Sequence, residues 1–142
     1  MYLWRRHSDD GGYPGLNCTA DAEGCESVQE LLALLLEIDR PASRSVALSR
    51  PTENIARLPG TVVKWTSPAR WRLGAPHTLE PMDAWKWEGD LTAPVLTAGR
   101  VKLAALQKAF RLVSQRQGDF CIHGRETRLH GFDFQRMAIW FW

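Results

Sequence analysis

No run in this sequence reaches the roughly eighteen apolar residues that a membrane-spanning helix needs, and the richest stretch, Leu31 to Ile38, is short and broken by Glu37. A spanning helix is therefore not expected, and the chain reads as soluble. The order of a secretory leader is also missing. The basic pair Arg5-Arg6 follows the apolar residues, and acidic and glycine residues stand where a signal peptide would be apolar. Cysteine is scarce and odd in number: Cys18, Cys25 and Cys121 cannot all pair within one chain, and so few suit a reducing compartment. They read as thiols of a cytoplasmic protein. Asn17-Cys18-Thr19 fits the glycosylation sequon but reads as a chance match, because nothing else argues for secretion.

The common catalytic signatures are absent as well: no glycine-lysine phosphate loop, no glycine-serine nucleophile elbow, no paired-histidine zinc helix and no dinucleotide fingerprint. Any site must then be assembled from scattered residues. Cys18, Cys25, Cys121 and His123 offer three thiols and an imidazole for zinc. Structural zinc knuckles set paired cysteines two to four residues apart, and Cys18 and Cys25 are too widely spaced for that. Cys121 with His123 or His130 pairs a nucleophile with a base but shows no third group, and His7 beside Asp9 and Asp10 is a candidate acid-base group. Ordinary buried or solvated side chains account for all of these. The reading is no catalytic residue, no metal and no cofactor.

What is present is the composition of an ordinary globular protein, with 142 residues, 44% of them hydrophobic and 24% charged. A chain of this length buries roughly two-thirds of its unfolded surface, enough for one core, so residues 1–142 read as a single domain. Two features depart from the average. Seven tryptophans are present, and the net charge of +2 conceals a segregation: residues 1–40 hold three Arg against eight Asp and Glu, while the remainder is basic.

Residues 8–26, rich in Gly, Asp and Cys without an apolar period, read as a long acidic loop. Ser27-Val28-Gln29-Glu30 has capping-box spacing and predicts a helix start, followed by the stripe Val28, Leu31, Leu32 and Leu35 and ended by Pro41. Leu34 and Ile38 widen that stripe, which implies burial on more than one side. Ser45–Ser49 and Thr61–Thr66 read as strands, with helical turns from Glu53 to Leu58 between them and a strand fragment at Trp71–Leu73. Trp85 and Trp87 fall on one face of a strand. A second amphipathic helix is expected from about Ala98 to Gln117, with Gly118 as its C-terminal cap. Strands follow at Phe120–Ile122, Glu126–His130 and Phe132–Trp142, the last covered on both faces. The expected fold is α+β: one mostly antiparallel sheet with two main helices packed on one face.

With no catalytic set in view, the character fits a small protein-binding module, and its sharpest form is an inhibitor, such as a bacterial immunity protein that blocks a cognate toxin. The expected partner is a basic protein met by Asp9, Asp10, Asp21, Glu23 and Glu26, with Trp65, Trp71, Trp85 and Trp87 as a second candidate binding set. The alternative is single-stranded nucleic acid, because Trp65 beside Lys64, Trp71 between Arg70 and Arg72, and Lys86 between Trp85 and Trp87 interleave aromatic rings with cations. A small enzyme using His or Cys is a third reading.

Overall fold

The structure, a computed structural model, describes residues 1–6, 15–50, 65–66, 68–75, 85–89, 92–118, 120–122 and 138–141. Helix α1 (Ala22–Glu37) is capped six residues before Ser27, by Asp21. With extended backbone, its carboxylate accepts the Gly24 N–H at 2.8 Å, satisfying one of the helix's unpaired donors. A Cβ at Gly24 would lie 2.7 Å from Asp21 Oδ1 and 2.9 Å from Met1 Cβ, so glycine is what lets Met1 lie against this first turn. The expected loop over 8–26 is corrected accordingly. Its second half is a strand, Gly15–Thr19, running into the helix.

Asp21 is held below the usual carboxylate range, first by the Gly24 N–H and then by the ammonium of Met1 at 3.7 Å. Because the folded state lowers this pKa, the stabilisation is complete above the ordinary carboxylate range and is lost as pH falls through the folded value. Asp21→Ala should therefore cost about 0.5–2 kcal/mol at neutral pH. The gap from the native protein in urea unfolding should close on acidification. An equal gap at neutral and acid pH would contradict this account of the cap.

The fold is α+β as expected, and among the described residues nine strands form two sheets rather than one, both mixed but with five of their seven pairings antiparallel. The first orders β4 (Trp65–Thr66), β1 (Tyr2–Arg6), β2 (Gly15–Thr19), β9 (Ala138–Phe141) and β8 (Phe120–Ile122). The second orders β3 (Ala42–Ala47), β5 (Arg70–Ala75), β7 (Val95–Ala98) and β6 (Trp85–Glu88). Two pairings are parallel, β2 with β9 and β5 with β7. The Trp71–Leu73 fragment thus belongs to the six-residue interior strand β5, and β3 starts and stops earlier than its sequence suggests. The expected segments Glu53–Leu58 and Glu126–His130 lie outside the described residues.

The two sheets share one construction. In the first, β2 is antiparallel to β1, precedes α1 and lies parallel to β9, which is antiparallel to β8. In the second, β7 is antiparallel to β6, precedes α2 (Arg100–Ser114) and lies parallel to β5, which is antiparallel to β3. Leaving β4 aside, the elements among the described residues follow a β-β-α-β-β order twice, each half completing the other's sheet. The helices carry the same signature. Cys25, Val28, Leu32 and Leu35 are buried in α1, and Leu103, Leu106, Phe110 and Val113 occupy the corresponding positions in α2. The spacing between corresponding residues is the 78 positions that separate Gln29 from Gln107, whose side-chain amide donates to the Gln29 carbonyl at 3.4 Å.

Arg100, at the start of α2, reaches Ile38 O and Asp39 just past the end of α1, so the helices run in opposite senses. One core cluster draws Leu3 and Leu16 from the first sheet, Leu73 and Leu96 from the second, and the buried stripes of both helices. Helix α2 ends without Gly118. Arg116 takes the left-handed conformation at φ 61°, while the Gln117 N–H bonds back to Leu112 O at 2.9 Å.

Candidate partner-binding surface

The stripe that buries Cys25, Val28, Leu32 and Leu35 determines what the rest of α1 shows to solvent. A helix repeats every 3.6 residues, so its outer face carries Glu23, Glu26, Ser27, Glu30, Leu34 and Glu37, all exposed. No Lys or Arg occurs between Ala22 and Glu37. The ion pairs among the described residues join Met1 to Asp21, Lys86 to Glu88 and Arg100 to Asp39, and none uses a carboxylate of α1. The face is acidic, and its carboxylates form no ion pair among the described residues.

Helix energetics do not ask for this arrangement. Like charges three or four residues apart, as in Glu23/Glu26 and Glu26/Glu30, each cost about 0.2–0.5 kcal/mol. Glu37 lies in the last turn, where the helix dipole disfavours an anion, and that turn has no basic residue of its own, the Arg100 beyond it being paired with Asp39. Only Glu23, in the first turn, gains from the dipole. Leu34 sits among these carboxylates and is 53% exposed, so the broad apolar stripe reflects one leucine facing water rather than burial on two sides. Among the described residues, Leu34 and Val101 of α2 are the exposed large apolar side chains.

The sequence-derived acidic residues divide. Glu23 and Glu26 stand on this outer face, joined by Glu30 and Glu37. Asp21 lies beside it, but its carboxylate caps the helix. Asp9 and Asp10 fall outside the described residues, as do His7, His123 and His130.

The tryptophans are corrected more sharply. Trp71, Trp85 and Trp87 are 0%, 7% and 3% exposed, so they form part of the core and offer no binding face. Trp71 stacks on Trp87 at 6.3 Å and packs against Phe110, while Trp85 meets Trp87 edge-on at 6.2 Å. The physical reason is the strand period. Neighbours in a strand point to opposite faces, so Arg70 and Arg72 face solvent because Trp71 faces inward, and Lys86 does so because Trp85 and Trp87 face inward. Interleaving in sequence separates rings from cations in space, which removes these indoles as a platform for nucleic-acid bases. Trp65 contributes backbone to β4, and its side chain is not among those described.

Lys102 lies 5.5 Å from the Trp85 ring. The indole nitrogens of Trp71 and Trp85 have no hydrogen-bond partner among the described residues. Cys18 and Cys25 are buried thiols. Desolvation, then the neighbouring Cys25, pushes the Cys18 pKa far up, and burial followed by the Asp21 charge raises Cys25. Such thiols are poor nucleophiles at neutral pH. Burial also raises the half-buried Cys121. Among the described residues, no three His, Cys, Asp or Glu side chains converge to hold a metal ion, and no helix is long and apolar enough to cross a membrane. No family model, curated protein or solved structure matches this chain.

Sequence reasoning misses Glu30, Leu34 and Glu37 as surface residues. The signal was available: once the buried stripe is fixed at Val28, Leu32 and Leu35, these three positions fall on the opposite side.

Proposed function

We propose that this chain is a small protein-binding module whose outer α1 face engages a basic protein partner, with inhibition of that partner as its sharpest form. An immunity protein that blocks a cognate toxin is the model for such action. The observation that carries the reading is the stripe Glu23, Glu26, Glu30 and Glu37 around the exposed Leu34, an arrangement disfavoured in the isolated helix and unpaired among the described residues. An apolar side chain flanked one turn away on each side by a carboxylate, Glu30 and Glu37, suits an interface in which Leu34 supplies contact area and the carboxylates of the stripe select and steer the partner.

Replacing Leu34 with a photo-reactive benzophenone amino acid and irradiating native cells should trap one basic protein. The same replacement at Val101, equally exposed on α2, should not trap it. Loss of the adduct when Glu26 and Glu30 are changed to Gln is also expected. Identical adducts from positions 34 and 101, or none from position 34, would contradict the reading.

A further inference from the structure

The outer face of the second sheet holds a different feature, a cleft of about 430 Å³. Its floor follows from register. Ser43, Gly74 and Thr97 lie side by side across β3, β5 and β7, and in the adjacent row Arg72 faces Val95, which faces Glu88. The first row is small over these three strands and reaches Lys86 only on β6, and in the second Arg72 and Glu88 rise on either side of Val95, which leaves the surface concave over Gly74. Gly74 keeps the floor low, since a Cβ there would meet Thr97 Oγ1 at 3.3 Å.

Arg72 is aimed by a neutral group. Its Nε and Nη2 both donate to Ser43 Oγ, at 3.0 and 2.7 Å, and no carboxylate pairs with it among the described residues. One edge of the guanidinium is thus fixed while the Nη1–Nη2 end remains available for a two-oxygen acceptor. Glu88, at the other end of the row, has its Oε1 on Lys86 Nζ at 2.6 Å. Lys86, outside the cleft, pairs with the Glu88 charge, so Arg72 is the cation that lines it, with Arg70 two residues away on the same face of β5.

We propose that this cleft binds a monoanionic carboxylate with a short apolar stem, its two oxygens on the Nη1–Nη2 end of Arg72 and its stem over Gly74 and Val95. A single planar cation matches a planar monoanion better than a dianionic phosphate, and the volume falls within the range of small-ligand pockets. Both a free carboxylic acid and a peptide C-terminus present this chemistry. The site is independent of the α1 face, so either can fail without the other.

The test is amide chemical-shift titration of the labelled full chain with butyrate, with the tripeptide Gly-Ala-Val, and with the same tripeptide amidated at its C-terminus. Butyrate or the free tripeptide should shift Gly74, Thr97 and Val95 in a saturable way, and the amidated peptide should not. Saturation by butyrate alone identifies a small acid as the ligand, and saturation by the tripeptide alone identifies a chain terminus. Arg72→Gln, at an exposed position that leaves the core intact, should weaken binding at least about tenfold, and Ser43→Ala less. The proposal is overturned if neither acid shifts these residues, if Arg72→Gln binds equally well, or if the amidated peptide binds as tightly as the acid.

Discussion

Phe110→Ala should cost about 3–5 kcal/mol, a large share of the roughly 5–15 kcal/mol that holds a domain together. Phe110 is fully buried on α2 and touches an aromatic ring from each sheet: Trp71 of β5, with centroids 6.4 Å apart, and Phe141 of β9, edge-on at 5.3 Å. Removing the ring loses its transfer energy, leaves a cavity and deletes two aromatic contacts at once. The neighbourhood cannot collapse freely, because Trp71 is already stacked on Trp87. Val101→Ala, on the exposed side of the same helix, should stay within about 0.5 kcal/mol of the native protein. Urea unfolding followed by tryptophan fluorescence reads both variants. A Phe110→Ala loss below about 1 kcal/mol would show that the ring is not the junction between the sheets that its contacts describe.

Local patterns were legible where one physical signal acted alone. The Val28, Leu32 and Leu35 stripe and the Leu106, Phe110 and Val113 stripe identify two amphipathic helices from spacing. The alternation in Trp85–Glu88 identifies a strand with both indoles on one side. Where two signals competed, the stronger was hidden. Ser27-Val28-Gln29-Glu30 has capping-box spacing, yet Asp21 caps first, because the preceding strand delivers the chain there with its carboxylate beside the Gly24 N–H. Four residues, Val95 to Ala98, are too few for a period to stand out, although β7 is the interior strand joining β5 to β6.

The doubled β-β-α-β-β plan was the least legible feature, because its halves share burial positions rather than residue types. Cys25 corresponds to Leu103, and Leu32 to Phe110. The parallel pairings are hidden for a related reason. They join strands distant in the chain, Gly15–Thr19 with Ala138–Phe141 among them, and no local pattern encodes such a partner. On the candidate surface, charge segregation pointed to Glu23 and Glu26, which the fold leaves exposed on α1, while tryptophan content pointed to Trp71, Trp85 and Trp87, which the core buries.

Changing Glu23, Glu26, Glu30 and Glu37 together to Gln should slow association with the protein trapped from position 34 by at least about tenfold at low salt, with far less effect on dissociation. The variant should fold normally, within about 0.5 kcal/mol per exposed site, since relief of like-charge repulsion along the helix offsets the loss of Glu23 at the N-terminal dipole. Leu34→Ala should act in the opposite way, raising the dissociation rate while leaving the salt dependence of association intact, because it removes contact area and no charge.

The central claim is that these carboxylates attract the partner across solvent, and the most direct measurement is the association rate of native protein and quadruple variant at two ionic strengths. Raising salt from about 0.01 M to about 0.15 M shortens the screening length from about 30 Å to about 8 Å. The native rate should then fall steeply, and the variant rate, already slow, should hardly change. Equal rates for the two proteins at the lower salt, or a native rate unchanged between the two conditions, would contradict the account.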